Sequence, residues 1–396
     1  MSSTEGLTWR RRMTARDREE EHRASTPLEL LFDLCFVVAV AQAAAELHHK
    51  LTAGHVGSGL LAYAMVFFAI WWAWMNFSWF ASAYDTDDVL YRLLTLVQIV
   101  GVLILAAGVP RAFEHDDFTV IVIGYVVMRA AMIVQWLRAA REFPDGRSAA
   151  LRYAIGIAIC QLAWIGRLPL SAPWSGISFA ILVAAELTVP VWAEYRGRPT
   201  SWNPEHINER YGLFTLIVLG ECVSAATVAI QSASTDHGLS AALLVLAGGG
   251  LLLVFGLWWS YFKHDATEGL RGSLTQSILW GYGHYLIFAS LAGLGAGLEV
   301  AVERIGHGAE LSTVGAAFTV AIPVALFLVV AGPLHAMMAP GTGLSQWYVV
   351  GAAALVLASA GLASAVTLAG SVAIMGGLVV LLVAASIRRI ASSQDT

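Results

Sequence analysis

The stretch Glu29-Leu-Leu-Phe-Asp-Leu-Cys-Phe-Val-Val-Ala-Val-Ala41 recurs in looser form as Glu209-Arg-Tyr-Gly-Leu-Phe-Thr-Leu-Ile-Val-Leu-Gly-Glu221. Each stretch begins with an acidic residue and continues into an apolar run. A pair of tryptophans follows each stretch, at Trp71-Trp72 and at Trp258-Trp259. This doubled pattern predicts two related halves, which is a common plan of membrane transporters.

The composition is that of a polytopic membrane protein. Hydrophobic residues make up 58% of the chain and charged residues only 13%, whereas soluble domains carry about 25% charged residues. Cys35, Cys160 and Cys222 all lie in apolar stretches, so neither a disulfide scaffold nor a zinc cluster is predicted. The polar N-terminal segment does not resemble a cleavable signal peptide, and the first helix is expected to act as an uncleaved signal anchor.

The apolar stretches predict an all-α polytopic fold. A bilayer core of about 30 Å needs about 20 apolar residues per helix, and about twelve stretches meet this requirement. These helices are predicted to form two parallel six-helix repeats. The predicted spans are 29–49, 57–80, 90–109, 117–138, 148–166, 174–193, 208–230, 239–262, 277–301, 312–332, 346–366 and 369–387. The predicted organisation is a cytoplasmic polar tail (1–28), a first six-helix repeat (29–193), a cytoplasmic linker (194–207), a second six-helix repeat (208–387) and a cytoplasmic tail (388–396).

Basic residues predict the orientation, because cytoplasmic loops carry an excess of Lys and Arg. With the N-terminus inside, the outer segments hold only Lys50, Arg111, Arg167 and Arg304. An even number of helices then places both termini in the cytoplasm. The cytoplasmic segments hold Arg10, Arg11, Arg12, Arg16, Arg18, Arg23, Arg92, Arg138, Arg141, Arg147, Arg152, Arg196, Arg198, Arg210, Lys263, Arg271, Arg388 and Arg389.

Four segments carry a family resemblance. Two of them, 29–41 and 206–221, contain the doubled stretches; the others are Trp71-Trp-Ala-Trp-Met-Asn-Phe-Ser-Trp-Phe-Ala-Ser-Ala-Tyr-Asp-Thr-Asp-Asp88 and Arg92-Leu-Leu-Thr-Leu-Val-Gln-Ile-Val-Gly-Val-Leu-Ile-Leu-Ala-Ala-Gly-Val-Pro110. Together they resemble the bacterial low temperature requirement A (LtrA) family. Members often have Phe where this chain has Leu31, and a different residue at Cys35. The resemblance implies a multi-pass protein of the bacterial cytoplasmic membrane, and it implies no substrate, reaction or catalytic residue.

Ionisable residues within the predicted spans are the candidate functional residues. A charge at the bilayer centre costs at least about 2.5–3.5 kcal/mol, so such residues usually face the bundle interior and often serve a pathway. The primary candidates for a proton or cation site are Asp33, Arg129, Glu186, Glu221 and His284, with Glu29, Gln42 and Glu46 as secondary candidates. No residue is predicted to be catalytic or to ligate a metal.

Each candidate also has a structural interpretation. Glu29 and Asp33 share one face of the first helix and either cap its N-terminus, bind a cation or proton, or pair with another helix. Arg129 is expected either to bind solute or to pair with Glu186, Glu221 or Asp33. His284 is either a buried neutral histidine or a proton relay.

Glu221 is the strongest single candidate, because its position is near the middle of its predicted span. Its approximate counterpart in the first half is Gln42, and Gln42 and Glu46 are expected to line an access path from the outer side. An interhelical hydrogen bond is the structural alternative for Glu221.

Three further features receive structural interpretations. The N-terminal tail is expected to be flexible and to lie near anionic headgroups. The tryptophans are expected to form an interfacial belt. The acidic cluster of Asp85, Asp87 and Asp88 is expected to be a solvated turn.

The favoured function is a proton- or cation-coupled transporter, or an ion-conducting protein, of unknown solute. The alternatives are a membrane-embedded enzyme acting on lipid or lipid-linked substrates, which would use Glu29, Asp33 or the Asp85 cluster, and a sensor or scaffold that responds to membrane state. Phe32-Asp33 is also faintly similar to the Phe-Ser-Asp motif of a potassium-channel family, without its serine. No cofactor is predicted; the expected partners are the lipid bilayer and an unknown small solute or ion, not nucleic acid, and the oligomeric state stays open.

Overall fold

The computed structural model describes residues 8–20, 23–195, 199–238, 240–306, 309–341 and 344–394. Every regular element within these ranges is helical, which confirms the predicted all-α fold. Arg196 and Arg198, which were counted among the basic residues of the predicted cytoplasmic segments, lie outside the described residues.

The helices follow one another with short connections. A single 3₁₀ turn, Pro144–Gly146, precedes α5. The helices are α1 (Pro27–Thr52), α2 (Val56–Tyr84), α3 (Val89–His115), α4 (Thr119–Glu142), α5 (Arg147–Gly166), α6 (Trp174–Tyr195), α7 (Pro204–His237), α8 (Ala241–Phe262), α9 (Thr267–Gly272), α10 (Leu274–Gly306), α11 (Thr313–Met338), α12 (Gln346–Gly361), α13 (Ala363–Val366) and α14 (Leu368–Gln394).

Eleven helices of the described chain are long and apolar enough to cross a membrane. The predicted span 346–366 corresponds to α12, which is apolar but only 16 residues long, followed by the one-turn helix α13. Thr367, with a φ of 70°, separates α13 from α14. A β-branched residue adopts this left-handed conformation rarely, so the chain makes a definite break between the last two predicted spans.

The contacts among Cα atoms divide the chain into two compact units. Unit 1 comprises 1–39 and 68–210, and unit 2 comprises 40–67 and 211–396. The helices α1, α2 and α7 therefore contribute residues to both units. The division into two six-helix repeats with a linker at 194–207 stays a prediction.

Glycines permit the closest helix contacts inside each unit. A Cβ atom on Gly101 of α3 would lie 2.7 Å from the carbonyl oxygen of Gly124 on α4. In unit 2, a Cβ on Gly249 of α8 would lie 2.8 Å from the Cα atom of Ala373 on α14. Small residues at such positions let helix backbones approach in membrane proteins, where dispersion contacts drive association.

The N-terminal tail is ordered against unit 1, and the expectation of a flexible tail is wrong for residues 8–20 and 23–26, here called the strap. The backbone N–H of Arg16 donates to the carbonyl of Ala83 at 2.9 Å. The backbone N–H of Met13 donates to Glu142 Oε2 at 2.6 Å. The buried Arg23 guanidinium donates to the carbonyls of two α2 residues. These long-range bonds replace the hydration that a free tail would keep.

Three tryptophans of α2 are core residues, so the interfacial belt predicted for Trp71, Trp72 and Trp74 is wrong. Trp71, Trp72 and Trp74 are no more than 1% exposed. The indole N–H of Trp72 donates to Glu186 and that of Trp74 to Asp33. A buried indole needs such an acceptor, and these two acceptors lie inside unit 1. Trp258 and Trp259 in unit 2 are 41% and 48% exposed, and for them the belt stays a prediction.

Candidate functional site

The helices α1 and α7 begin in the same way. Before α1, Thr26 N–H donates to Glu29 Oε2 at 2.8 Å and Glu29 N–H donates to Thr26 Oγ1 at 3.3 Å, which is a capping box. Before α7, Asn203 Oδ1 accepts from His206 N–H at 3.0 Å. Pro27 and Pro204 occupy the first helical positions, where proline is favoured. Glu29 therefore does cap α1, as one of its sequence interpretations stated.

Two residues on the first turns of α1 face two residues on α7, and we call this set the charge ladder. His206 Nε2 lies 3.1 Å from Glu29 Oε1, and Arg210 Nη2 donates to Asp33 Oδ1 at 2.6 Å. All four side chains are at most 1% exposed. Because the pairs occur in the same order on both helices, these ends of α1 and α7 run in the same direction.

Asp33 and Arg210 have further polar neighbours. Trp74 Nε1 donates to Asp33 Oδ1 at 2.7 Å, and Arg210 Nη2 lies 3.3 Å from Ser78 Oγ. Asp33 Oδ1 thus accepts two hydrogen bonds, and the one from Arg210 is charge-assisted. Arg210, which was counted among the basic residues of the cytoplasmic segments, lies in the second turn of α7 and is fully buried.

Glu186 of α6 is the centre of a second buried network in unit 1. Its Oε2 accepts from Arg129 Nη2 at 2.9 Å and from Trp72 Nε1 at 2.8 Å. Of the three partners predicted for Arg129, the structure therefore shows Glu186. Both charged residues are 1% exposed. The other oxygen, Oε1, accepts from Tyr125 Oη (3.2 Å), Gln161 Nε2 (3.3 Å) and Trp164 Nε1 (3.2 Å).

Acidic residues of unit 2 lie around one histidine instead of an arginine, and we call this set the carboxylate–histidine cluster. His48 Nε2 is 2.8 Å from Glu303 Oε2, and His48 Nδ1 is 3.5 Å from Glu299 Oε2. Glu299 also lies close enough to Glu221 to interact with it electrostatically. Helices α1, α7 and α10 thus each contribute to this cluster.

The side chains of the cluster differ in their exposure to solvent. The side chain of Glu303 is 38% exposed, that of Glu299 19% and that of His48 17%. Among the described residues, no lysine or arginine lies within ion-pair distance of Glu221 or Glu299. These carboxylates therefore lack the fixed positive charge that Asp33 and Glu186 have.

The remaining candidates have simpler surroundings. His284 is 1% exposed; its Nε2 lies 2.9 Å from Tyr261 Oη and its Nδ1 lies 2.7 Å from the Trp280 carbonyl. Both ring nitrogens are thus bonded, as in a buried structural histidine. Gln42 is exposed on α1, and Glu46 lies 4.0 Å from His49 on the same helix.

The aspartates that follow α2 are not one solvated turn. Asp88 is fully buried, caps α3 by accepting from Tyr91 N–H, and pairs with Arg138. Burial alone would raise the pKa of Asp88, but the hydrogen bonds from Arg138 and from two backbone N–H groups hold it below its ordinary value. Asp87 is 47% exposed and pairs with Arg92, so the solvated interpretation fits Asp87 alone.

Asp85 is expected to make stability depend on pH. Burial raises its pKa from 3.8 to about 6, and the charge of Glu29 adds to that effect. Between these values the folded state binds more protons than the unfolded state, so stability falls as pH rises from about 4 to about 6. Asp85→Asn should therefore stabilise the protein by about 2–3 kcal/mol at pH 7.5 and have little effect near pH 4.

The measurement for Asp85 is unfolding by sodium dodecyl sulfate in mixed micelles at both pH values. Asp87→Asn is the matched control, because its exposed ion pair with Arg92 contributes less than about 1 kcal/mol. Equal effects of Asp85→Asn at the two pH values would contradict the assignment.

The sequence predicted some of these residues and missed others. Asp33, Arg129, Glu186 and Glu221 were candidates, whereas the pairing roles of His206 and Arg210 and the contacts of His48 with Glu299 and Glu303 were not predicted. The cap signals Thr26-Pro27 and Asn203-Pro204 could have indicated which residues of α1 and α7 pair. Thr26 and Asn203 are 177 residues apart, and so are Asp33 and Arg210.

Within the described ranges, no group of three His, Cys, Asp or Glu side chains could hold a metal ion.

Comparison with known proteins and the apolar helices both indicate a membrane protein. A relative in Rhizobium meliloti (strain 1021), named uncharacterized protein RA0937, is 26% identical over 324 residues, which cover 75% of this chain and 73% of the relative. The model of the family described as bacterial low temperature requirement A protein (LtrA) matches residues 24–385. The chain therefore belongs to the LtrA family and is a multi-pass integral membrane protein.

Proposed function

We propose that this protein is a proton- or cation-coupled transporter, or an ion-conducting protein, of the bacterial cytoplasmic membrane, with both termini in the cytoplasm. The observation that carries the proposal is the carboxylate–histidine cluster of unit 2. Glu221 and Glu299 lie within helices long enough to cross a membrane, and no arginine or lysine of the described chain neutralises them. Ionisable groups in such positions commonly mark ion and proton pathways.

The two units use their membrane acids differently. Asp33 and Glu186 in unit 1 each have an arginine within 2.9 Å, so their charge is already balanced by a fixed cation. Glu221 and Glu299 have no arginine or lysine of this kind within the described chain, so a small cation or a proton, taken up by the acid or by His48 beside Glu299, would balance their charge. A transport cycle requires this exchange, because the site must be charged in one state and discharged in another.

The position of the cluster gives it access from one side of the membrane. His48 lies near the end of α1, and Glu299 and Glu303 lie near the end of α10. In the proposed topology these helix ends face outward. A proton or cation would reach Glu303 and His48 first and Glu221 afterwards, since Glu221 lies near the middle of α7.

Three of the acids that a lipid-acting enzyme could use are bound to other side chains, whereas Asp85 forms no ion pair among the described residues. Glu29 pairs with His206, Asp33 with Arg210 and Asp88 with Arg138. Such pairing lowers their ability to act as a general base, because a nearby positive charge favours the ionised carboxylate.

The test is ion flux in proteoliposomes that contain the purified protein. Proton flux is followed with a pH-sensitive dye under a pH gradient, and Na⁺ and K⁺ flux is followed under the matching cation gradients. We expect flux of at least one of these ions above that of protein-free vesicles. Absence of proton, Na⁺ and K⁺ flux in folded protein would count against ion coupling and would favour the sensor or scaffold alternative.

A further inference from the structure

A cavity of about 650 Å³ lies in unit 1 where the strap meets α3, α4 and α5. Its lining contains arginines, among them Arg10 from the strap, Arg141 from the end of α4 and Arg147 from the start of α5. It also contains apolar residues, including Val134 and Leu137 of α4. Sites for small molecules typically have volumes of about 300–1,000 Å³.

The charges around this cavity leave two arginines without a carboxylate. Glu142 is the acid in the lining, and it accepts from Arg10 at 2.5 Å and from Arg138 at 3.3 Å. Arg141 and Arg147 are exposed, and no acid of the described chain is within ion-pair distance of either. The cavity lining therefore carries a net positive charge.

Two apolar residues of the lining are also exposed on the surface of α4. Val134 and Leu137 are 46% and 47% exposed, and both belong to α4, which is long and apolar enough to cross a membrane. Acyl chains of the bilayer would cover such a surface. A ligand that fills the cavity should consequently combine an anionic group with an apolar chain.

We propose that this cavity binds an anionic phospholipid. The phosphate oxygens lie between Arg141 and Arg147, and the acyl chains lie along Val134 and Leu137. Arginine suits this role because its planar guanidinium can donate two parallel hydrogen bonds to a phosphate. Basic cavities between membrane helices are known to hold anionic headgroups. The site is separate from the carboxylate–histidine cluster, and lipid binding does not depend on ion flux.

The experiment is native mass spectrometry of the full-length protein in detergent, titrated with phosphatidylglycerol or phosphatidylcholine. We expect wild type to bind phosphatidylglycerol more tightly than phosphatidylcholine. The double variant Arg141→Gln/Arg147→Gln should lose about 30-fold in phosphatidylglycerol affinity, at about fivefold for each arginine near a lipid surface. Its affinity for phosphatidylcholine should not change.

A matched control uses two exposed arginines far along the chain. Arg388→Gln/Arg389→Gln removes the same charge from α14 in unit 2 and should leave phosphatidylglycerol affinity unchanged. An equal loss in this control would show a general charge effect and overturn the site. Inorganic phosphate and glycerol phosphate serve as soluble probes; if they bind as tightly as phosphatidylglycerol and compete with it, the cavity is a soluble-anion site and the lipid proposal is wrong.

Discussion

Replacement of Glu221 by glutamine is expected to reduce ion flux to the level of protein-free vesicles. Glutamine keeps the shape of the side chain but can neither release a proton nor balance a cation. Glu221 forms no ion pair within the described ranges and is only half-buried, so its neutral replacement should change stability by less than about 1 kcal/mol. Flux and folding should therefore separate in this variant.

Three companion variants make this prediction specific. Glu221→Asp retains a carboxylate and should retain part of the flux. Glu299→Gln removes the neighbouring carboxylate and should also abolish flux, because it lies between His48 and Glu221 in the proposed path. Glu114→Gln removes an acid that is 59% exposed at the end of α3 and should transport like wild type.

Flux is measured in proteoliposomes with equal amounts of folded protein, as judged by size-exclusion chromatography. Normal flux in Glu221→Gln would exclude Glu221 from the mechanism. A parallel loss in Glu114→Gln would instead show that the assay responds to general changes in charge.

The sequence predicted the fold class well because membrane helices depend on composition more than on partners. Each long apolar run must satisfy its backbone hydrogen bonds internally, so hydropathy alone locates the spans. The run 346–366 is the instructive exception. Its hydropathy is continuous, but the helix is interrupted at Leu362 and again at Thr367. The backbone conformation at these residues, and not the hydropathy, determines where the helices end.

The partners of the charged residues could not be predicted in the same way. Hydropathy placed Arg129 inside a span and required a counter-charge, yet it left three acids, Glu186, Glu221 and Asp33, as possible partners. The choice of Glu186 depends on how α4 and α6 face each other, and this information lies in the side-chain shapes of both helices. Glu221 was likewise predicted as a single residue. Its association with Glu299 and His48 was not predicted, because these residues are distant from it in sequence.

The surroundings of Arg210 and of the α2 tryptophans were missed because an average preference was applied to particular residues. Arg210 precedes an apolar run, and arginines in that position usually lie in the cytoplasm. Here a proline and a cap start the helix earlier, so Arg210 lies one turn inside it. Trp72 and Trp74 were assigned to an interfacial belt, but buried carboxylates accept their indole N–H groups and keep them in the core.

Replacement of Arg210 by glutamine is expected to lower the free energy of unfolding by about 3–5 kcal/mol, which is the usual cost of breaking a buried ion pair on one side. Asp33 would keep a negative charge in a fully buried position and lose the cation that lies 2.6 Å from it. Trp74 alone cannot balance that charge, since its indole contributes one neutral donor. Asp33→Asn should be destabilising for the converse reason.

The double variant Asp33→Asn/Arg210→Gln should be more stable than the sum of the single effects predicts. Neither partner then carries an isolated charge, so the coupling energy of the double-mutant cycle should be at least about 2 kcal/mol. Unfolding by sodium dodecyl sulfate in mixed micelles measures the three variants. Arg92→Gln, which breaks the exposed pair with Asp87 at 2.7 Å, is the matched control and should cost less than about 1 kcal/mol.

Additive effects in this cycle would show that Asp33 and Arg210 do not neutralise each other in the folded protein. Asp33 would then carry an unbalanced charge in its membrane helix, as Glu221 does, and it would have to be considered a transport residue. A large coupling energy instead separates Asp33, which holds α1 to α7 through Arg210, from Glu221, which is proposed to exchange a proton or cation.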